Sequence, residues 1–369
     1  MYSLPDSPDL NISALSRAFE NTTNSYKFYW LLSLLDHIAK SDEPFISYGQ
    51  ISMNMLSLVW YPLDYFKLSF GAADSFKILA ETVTSHLTID NSMIAPSLLK
   101  QISTRLPDVV HDGLSKQITA TLKKYVACRF IRPFFAENLR AIKDQDINRQ
   151  ITLLANSPAG RLISPYSFDD KGILVNPQWI AYFSNHQVIL RGFTSWHLLK
   201  FLQKHNPNTI GLSEKLEKPA ARDMNSARKY WSGYLKSQSI NCIYSKQLIS
   251  ADKFSLDHFI PWSYMAHDQV WNIIPTSASV NSSKSNILPS LPEYLQDFCK
   301  LQYDAFYFHL KHSNYKIIED YSQLLSHQDY REMSRDHFIE KLTQEINNNS
   351  RIAGNMGFQT PYVFSGNSV

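Results

Sequence analysis

Between residues 254 and 289 the chain gathers side chains able to hold a metal, move a proton or meet a phosphate. Asp257 and His258 stand side by side near the end of an alternating run, residues 254–259, whose period of two predicts a short strand. Pro261 stops or turns that strand. A polar loop through His267 and Asp268 leads to residues 270–274, a second β-like run containing Asn272 and punctuated by Pro275. Residues 277–285 are small and polar, and Asn281 and Lys284 share a face if this stretch is helical. The chemistry within reach is hydrolytic. A neutral histidine, with an ordinary pKa of about 6.5, can take a proton from water. A carboxylate and an amide oxygen can hold one divalent cation. A lysine offers phosphate a point charge. Strand, loop, strand and helix must bring these groups together. Successive strand residues point to opposite faces, so Asp257 and His258 serve one site only if the chain kinks there, or if metal and water lie on either side of the strand end.

The segment resembles the HNH endonucleases, whose core is the ββα-metal fold. Their pattern is an Asp-His pair on the first element, an Asn in the middle loop, and a His or Asn on the helix followed three residues later by Lys. Here these are Asp257-His258, Asn272, Asn281 and Lys284. The wording DHFIPWS and WNIIPTSASVNSSKSNILP also matches the variety with Pro-Trp-Ser after the pair and Leu-Pro after the helix. The resemblance runs from about residue 236 to about 300. Many members carry two Cys-x-x-Cys pairs around a structural zinc. The corresponding positions here are Cys242, Ser245, Ser277 and Val280, and one ligand of four makes no tetrahedral zinc site. Asn281 in place of His moves the expected metal from zinc or nickel to Mg2+, with Mn2+ as the alternative.

The resemblance and the chemistry together assign roles. His258 is the general base, and Asp257 and Asn281 are the metal ligands. Asn272 holds the loop and orients the histidine, and Lys284 contacts phosphate. Trp262 and Trp271 read as core packing, and His267 and Asp268 as an exposed loop.

The rest of the chain must support this module. Its 369 residues exceed one ordinary domain. Hydrophobic residues make up 44% and aromatics 13%, which excludes a disordered chain. The net charge of +3 means that any nucleic-acid surface has to be local. Cys128, Cys242 and Cys299 are far apart and imply no disulfide framework, and the first residues carry no signal-peptide pattern. A cytoplasmic protein is expected, and no apolar run reaches a membrane span.

The expected class is α+β. Residues 1–155 read as a mostly helical domain, centred on the apolar run 26–35 behind the N-cap candidates of residues 21–25. Residues 156–205 read as a small α+β segment with β-like runs at 161–166, 172–175 and 188–193, either separate or appended to the helical domain. Residues 206–236 form a basic helical linker. From Lys200 to Lys236 eight lysines and arginines face Glu214, Glu217 and Asp223, a net +5. Lys218, Arg222, Arg228 and Lys229 are the candidate DNA-backbone contacts, and a solvated outer helix face is the alternative. The nuclease module occupies residues 237–312 and a helical extension residues 313–369, with a break expected at residues 347–350.

The resemblance implies a metal-dependent endonuclease acting on double-stranded DNA in bacterial restriction or anti-phage defence. The alternatives are a nuclease subunit of a larger defence complex, silent until a partner activates it, and an RNA-cutting toxin. One HNH site cuts one strand, so double-strand cutting calls for a homodimer or repeated nicking. The aromatic stretch 291–312 is a dimer surface or, more simply, a buried helix.

Overall fold

A chain this rich in Trp, Tyr and Phe has to bury its aromatics, and it does so around two separate cores. The computed structural model describes residues 4–89, 95–217, 223–325 and 333–366. The described parts of residues 1–207, with Leu216 and Glu217, form one compact unit. Those of 208–215 and 219–369 form the other.

The first unit is built around α1 (Tyr26–Ile38), whose Phe28, Trp30, Leu31 and Leu34 are all buried. A helix apolar on nearly every side has to be a central one. Ser25 precedes it, and its hydroxyl donates to Asp74 Oδ2 at 2.6 Å. Helix α2 (Tyr48–Trp60) begins in a capping box, with Gln50 N donating to Ser47 Oγ and Ser47 N to Gln50 Oε1. Three short antiparallel strands, β1 (Phe45–Ser47), β2 (Tyr166–Phe168) and β3 (Gly172–Val175), pair in the order β1-β3-β2. A Cβ at position 172 would sit 2.2 Å from the Ile46 carbonyl, so the β1–β3 contact requires glycine there. This sheet joins residues 156–205 to the helical unit.

Of the three expected β-like runs in that region, 188–193 is wholly helical and 161–166 is helical over its first half, with Tyr166 opening β2. Residues 161–163 belong to the Pro158–Ile163 helix, capped by Ser157. Residues 188–193 lie inside α3 (Gln187–His205). The β-branched Val188 and Ile189 suggested a strand, but both are exposed. The buried residues Leu190, Thr194, Leu198, Phe201 and Leu202 follow helical spacing.

In the second unit, β4 (Ser255–His258) and β5 (Ile273–Thr276) form an antiparallel ribbon, with Asp257 opposite Ile274 and His258 opposite Ile273. Pro275 was expected to end the second strand. It lies within the ribbon, opposite Leu256; in a two-stranded ribbon every strand has a free edge that tolerates a missing donor. Residues 270–272 form a 3-10 turn before β5. A two-stranded ribbon is marginal alone, and helices close over it. They are α4 (Asn225–Leu235), α5 (Ala278–Lys284), α6 (Leu291–Lys311) and α7 (Arg335–Asn355). The Ile273 carbonyl accepts from Trp231 Nε1 of α4 at 2.9 Å and from Gln302 Nε2 of α6 at 2.8 Å. Phe259 stacks on Phe298 with ring centroids 3.9 Å apart.

Three further expectations change here. Helix α4, read as part of a linker, buries Tyr230 and Trp231 in this core. Lys215, counted in the basic surface, is fully buried, its ammonium donating to the Tyr264 carbonyl. Helix α7 runs straight through residues 347–350. Ile346, Asn349 and Ala353 form its buried stripe, and Asn349 Oδ1 accepts from Tyr264 OH at 3.1 Å. Tertiary burial overrides the poor helix propensity of the asparagines. The chain then returns: Leu288 N donates to Gln359 O, Tyr362 N to Leu288 O, and Ser290 N to Tyr362 O. Among the described residues no helix is long and apolar enough to cross a membrane.

Candidate active site

The site assembles at the end of β4. Asp257 and His258 are consecutive in a regular strand, and their side chains meet different partners, as opposite faces require. The strand shows no kink between them. Asp257 Oδ1 accepts from Lys284 Nζ at 3.2 Å, and Oδ2 from Tyr244 OH at 3.0 Å. His258 Nε2 lies 2.8 Å from Asp268 Oδ1. A carboxylate can only accept, so in the neutral ring Nε2 carries the hydrogen and Nδ1 keeps its lone pair.

Asn272 fixes the chain just beyond the pair. Its carbonyl accepts from Phe259 N at 2.8 Å, its Oδ1 from Ile260 N at 2.9 Å, and its Nδ2 donates to Ile260 O at 2.8 Å. One buried side chain thus satisfies both backbone groups of Ile260, which sits one residue before Pro261 and has no strand partner.

Helix α5 starts at Ser277, whose hydroxyl accepts from Val280 N, and ends at Ser285, with φ at +46°. Asn281 is half-buried, and its side chain makes no hydrogen bond among the described residues. Lys284, one turn later, was expected to reach phosphate. It points inward instead: it is fully buried and also donates to the His258 carbonyl at 2.7 Å. Burial pushes its pKa down, against the pull of Asp257. A buried ammonium needs a fixed anion, and Asp257 is the anion within reach.

Of the expected DNA contacts, Arg228 and Lys229 are exposed on α4. The Arg228 guanidinium lies 5.1 Å from the centre of the Phe254 ring. Lys218 and Arg222 lie outside the described residues.

Sequence reasoning missed Asp268, Tyr244 and His267. Asp268 and His267 were assigned to an exposed loop, yet Asp268 holds the histidine. His267 is pushed down to about 4, first by burial and then by His258 nearby, so it is neutral at physiological pH. The only signal for Asp268 was a carboxylate in the loop between two strands; nothing in its spacing aims it at His258. Tyr244 carried no signal, because its contact is made by folding.

The donor set suits a hard cation. Each Asp257 oxygen takes one hydrogen bond and keeps a further acceptor position, and the Asn281 amide oxygen is uncommitted. Among the described residues no group of three or more His, Cys, Asp or Glu could hold a metal. A carboxylate and an amide are oxygen donors, the kind that a hard divalent cation takes. At the four positions where relatives of this pattern carry cysteines, Cys242 Sγ lies 3.2 Å from Thr276 Oγ1, Ser245 Oγ accepts from Gln247 N, Ser277 caps α5 and Val280 is buried in the core.

Residues 242–290 match the family model of the HNH endonucleases, and all five residues of the expected pattern fall inside that span. The chain therefore carries an HNH endonuclease domain, the domain of a nuclease, with DNA as the substrate it implies. No curated protein and no solved structure matches the chain.

Proposed function

We propose that the protein is a divalent-metal-dependent endonuclease that hydrolyses DNA phosphodiester bonds, with His258 as general base. The observation that carries this reading is the divided strand end: a carboxylate on one face, and on the other a histidine held at Nε2 so that Nδ1 can accept a proton. Asp257 and Asn281 would hold the cation, which supplies Lewis-acid stabilisation of the phosphate and the leaving 3′ oxygen. His258 takes the proton of the attacking water, and Asp268 stabilises the imidazolium that forms. Lys284 positions Asp257 and ties α5 to the strand end. Arg228 and Lys229 offer charge to the DNA backbone. A role in bacterial restriction or anti-phage defence follows from the resemblance of the layout alone.

The burial of both residues favours a second reading. Asp257 is 3% and His258 7% exposed, so a nuclease subunit opened by a partner in a larger complex fits the same geometry.

One experiment separates the two readings. Supercoiled plasmid, unmodified and modified, is incubated with the wild-type chain and with His258→Ala in Mg2+, Mn2+ or EDTA. Metal-dependent nicking that falls by about 10²–10⁴-fold in the variant is expected. Full cleavage by His258→Ala removes it as the base. A wild-type chain that cuts nothing alone, but cuts with a co-purifying protein, moves the weight to the partner-activated reading.

A further inference from the structure

The first unit contains a cavity of about 880 Å³, lined by Arg17, Lys27, Lys124, Arg129, Arg132 and Arg140. Only Glu20 and Asp144 oppose them in the lining, in a chain whose total charge is +3. Acids pair with two of the six cations. Asp144 is taken by Arg129 at 2.6 Å. Arg140 pairs outside the lining with Glu137. Lys27, Lys124 and Arg132 make no ion pair among the described residues. Lys27 is anchored by two carbonyls instead, with Nζ donating to Ala18 O at 2.9 Å and Asn21 O at 3.1 Å.

Gathering like charges around a concave surface is unfavourable unless an anion is present to answer them. Lys27 carries the sign of this: burial, then the charges of Arg132 and Arg129, push it down to about 8. The volume lies within the range of about 300–1,000 Å³ typical of small-molecule sites. Tyr125 stands at the cavity, 47% exposed, with the Lys124 ammonium 4.8 Å from its ring centre. An exposed aromatic face beside a cationic cluster suits a planar base joined to phosphates.

We propose that this cavity binds a phosphorylated small molecule of nucleotide size. A DNA duplex is the competing occupant. The assignment does not depend on the nuclease reading, since it concerns other residues in the other unit.

The test is calorimetric titration of the full chain at low salt in EDTA, which keeps metal-linked phosphate binding at the HNH domain out of the signal. The probes are ATP, tripolyphosphate, adenosine and a short DNA duplex. The variants are Arg132→Ala and Lys124→Ala, singly and together; both residues are exposed, so the fold should survive, and circular dichroism checks it. ATP and tripolyphosphate should bind, adenosine should not, and the double variant should weaken ATP by about tenfold or more. The proposal is overturned if neither phosphate binds, or if the double variant leaves ATP binding unchanged. A duplex that binds through these two residues while both small phosphates fail would reassign the cluster to the DNA backbone.

Discussion

At the scale of the residue, the site depends on two carboxylate contacts. Asp268 holds His258 Nε2–H at 2.8 Å. Asp268→Asn can present its amide nitrogen there and favour the wrong tautomer. Cleavage should fall by about 10- to 100-fold, the usual cost of losing such a supporting contact. Unchanged cleavage would show that Asp268 serves only packing. Lys284 and Asp257 form a pair with 0% and 3% of their side-chain surface exposed. Lys284→Met strands the carboxylate in the core, which should cost about 3–5 kcal/mol in urea unfolding. A loss below about 1 kcal/mol, the worth of an exposed pair, would mean that water reaches Asp257.

At the scale of the element, β4 and β5 exist because neighbouring helices finish their hydrogen bonds. Gln302, fully buried on α6, donates to the carbonyls of Val270 and Ile273 and accepts from Tyr321 OH at 2.6 Å. Gln302→Leu keeps the bulk and removes all three contacts. Each lost hydrogen bond should cost about 0.5–1.5 kcal/mol. Every group keeps another partner: Ile273 N donates to Val270 O, Trp231 still serves Ile273 O, and Tyr230 still lies 3.0 Å from Tyr321 OH. Thermal unfolding followed by near-ultraviolet circular dichroism reads the change, and a wild-type midpoint would sink the idea that this glutamine secures the ribbon.

At the scale of the whole molecule, the last described residues belong to the nuclease unit. Phe358 and Tyr362 lie in its core, and Tyr362 OH is 2.7 Å from Ser283 Oγ on α5. The helix bearing Asn281 and Lys284 is thus braced by a segment some eighty residues further along the chain. Deleting residues 358–369 should lower the unfolding midpoint of the second unit and reduce plasmid cleavage. A truncated chain that keeps full activity and stability would show that α5 stands without this brace.

Sequence alone determined the pieces whose causes are local. Asp257-His258 at the end of an alternating run, Asn281 and Lys284 one helical turn apart, and the apolar run of α1 all follow from short-range periodicity, and the HNH span was legible from five residues of four types in a set order. The tertiary structure decided what depends on distant partners. Lys284 turns inward because a buried carboxylate answers it, not because of its place on a helix. Residues 188–193 coil because one stripe finds a core, although their β-branched side chains favour a strand. Residues 347–350 stay helical because Asn349 meets Tyr264. Asp268 becomes the partner of His258 only when the loop folds back. Spacing reveals which groups a segment offers; long-range contacts determine which of them meet.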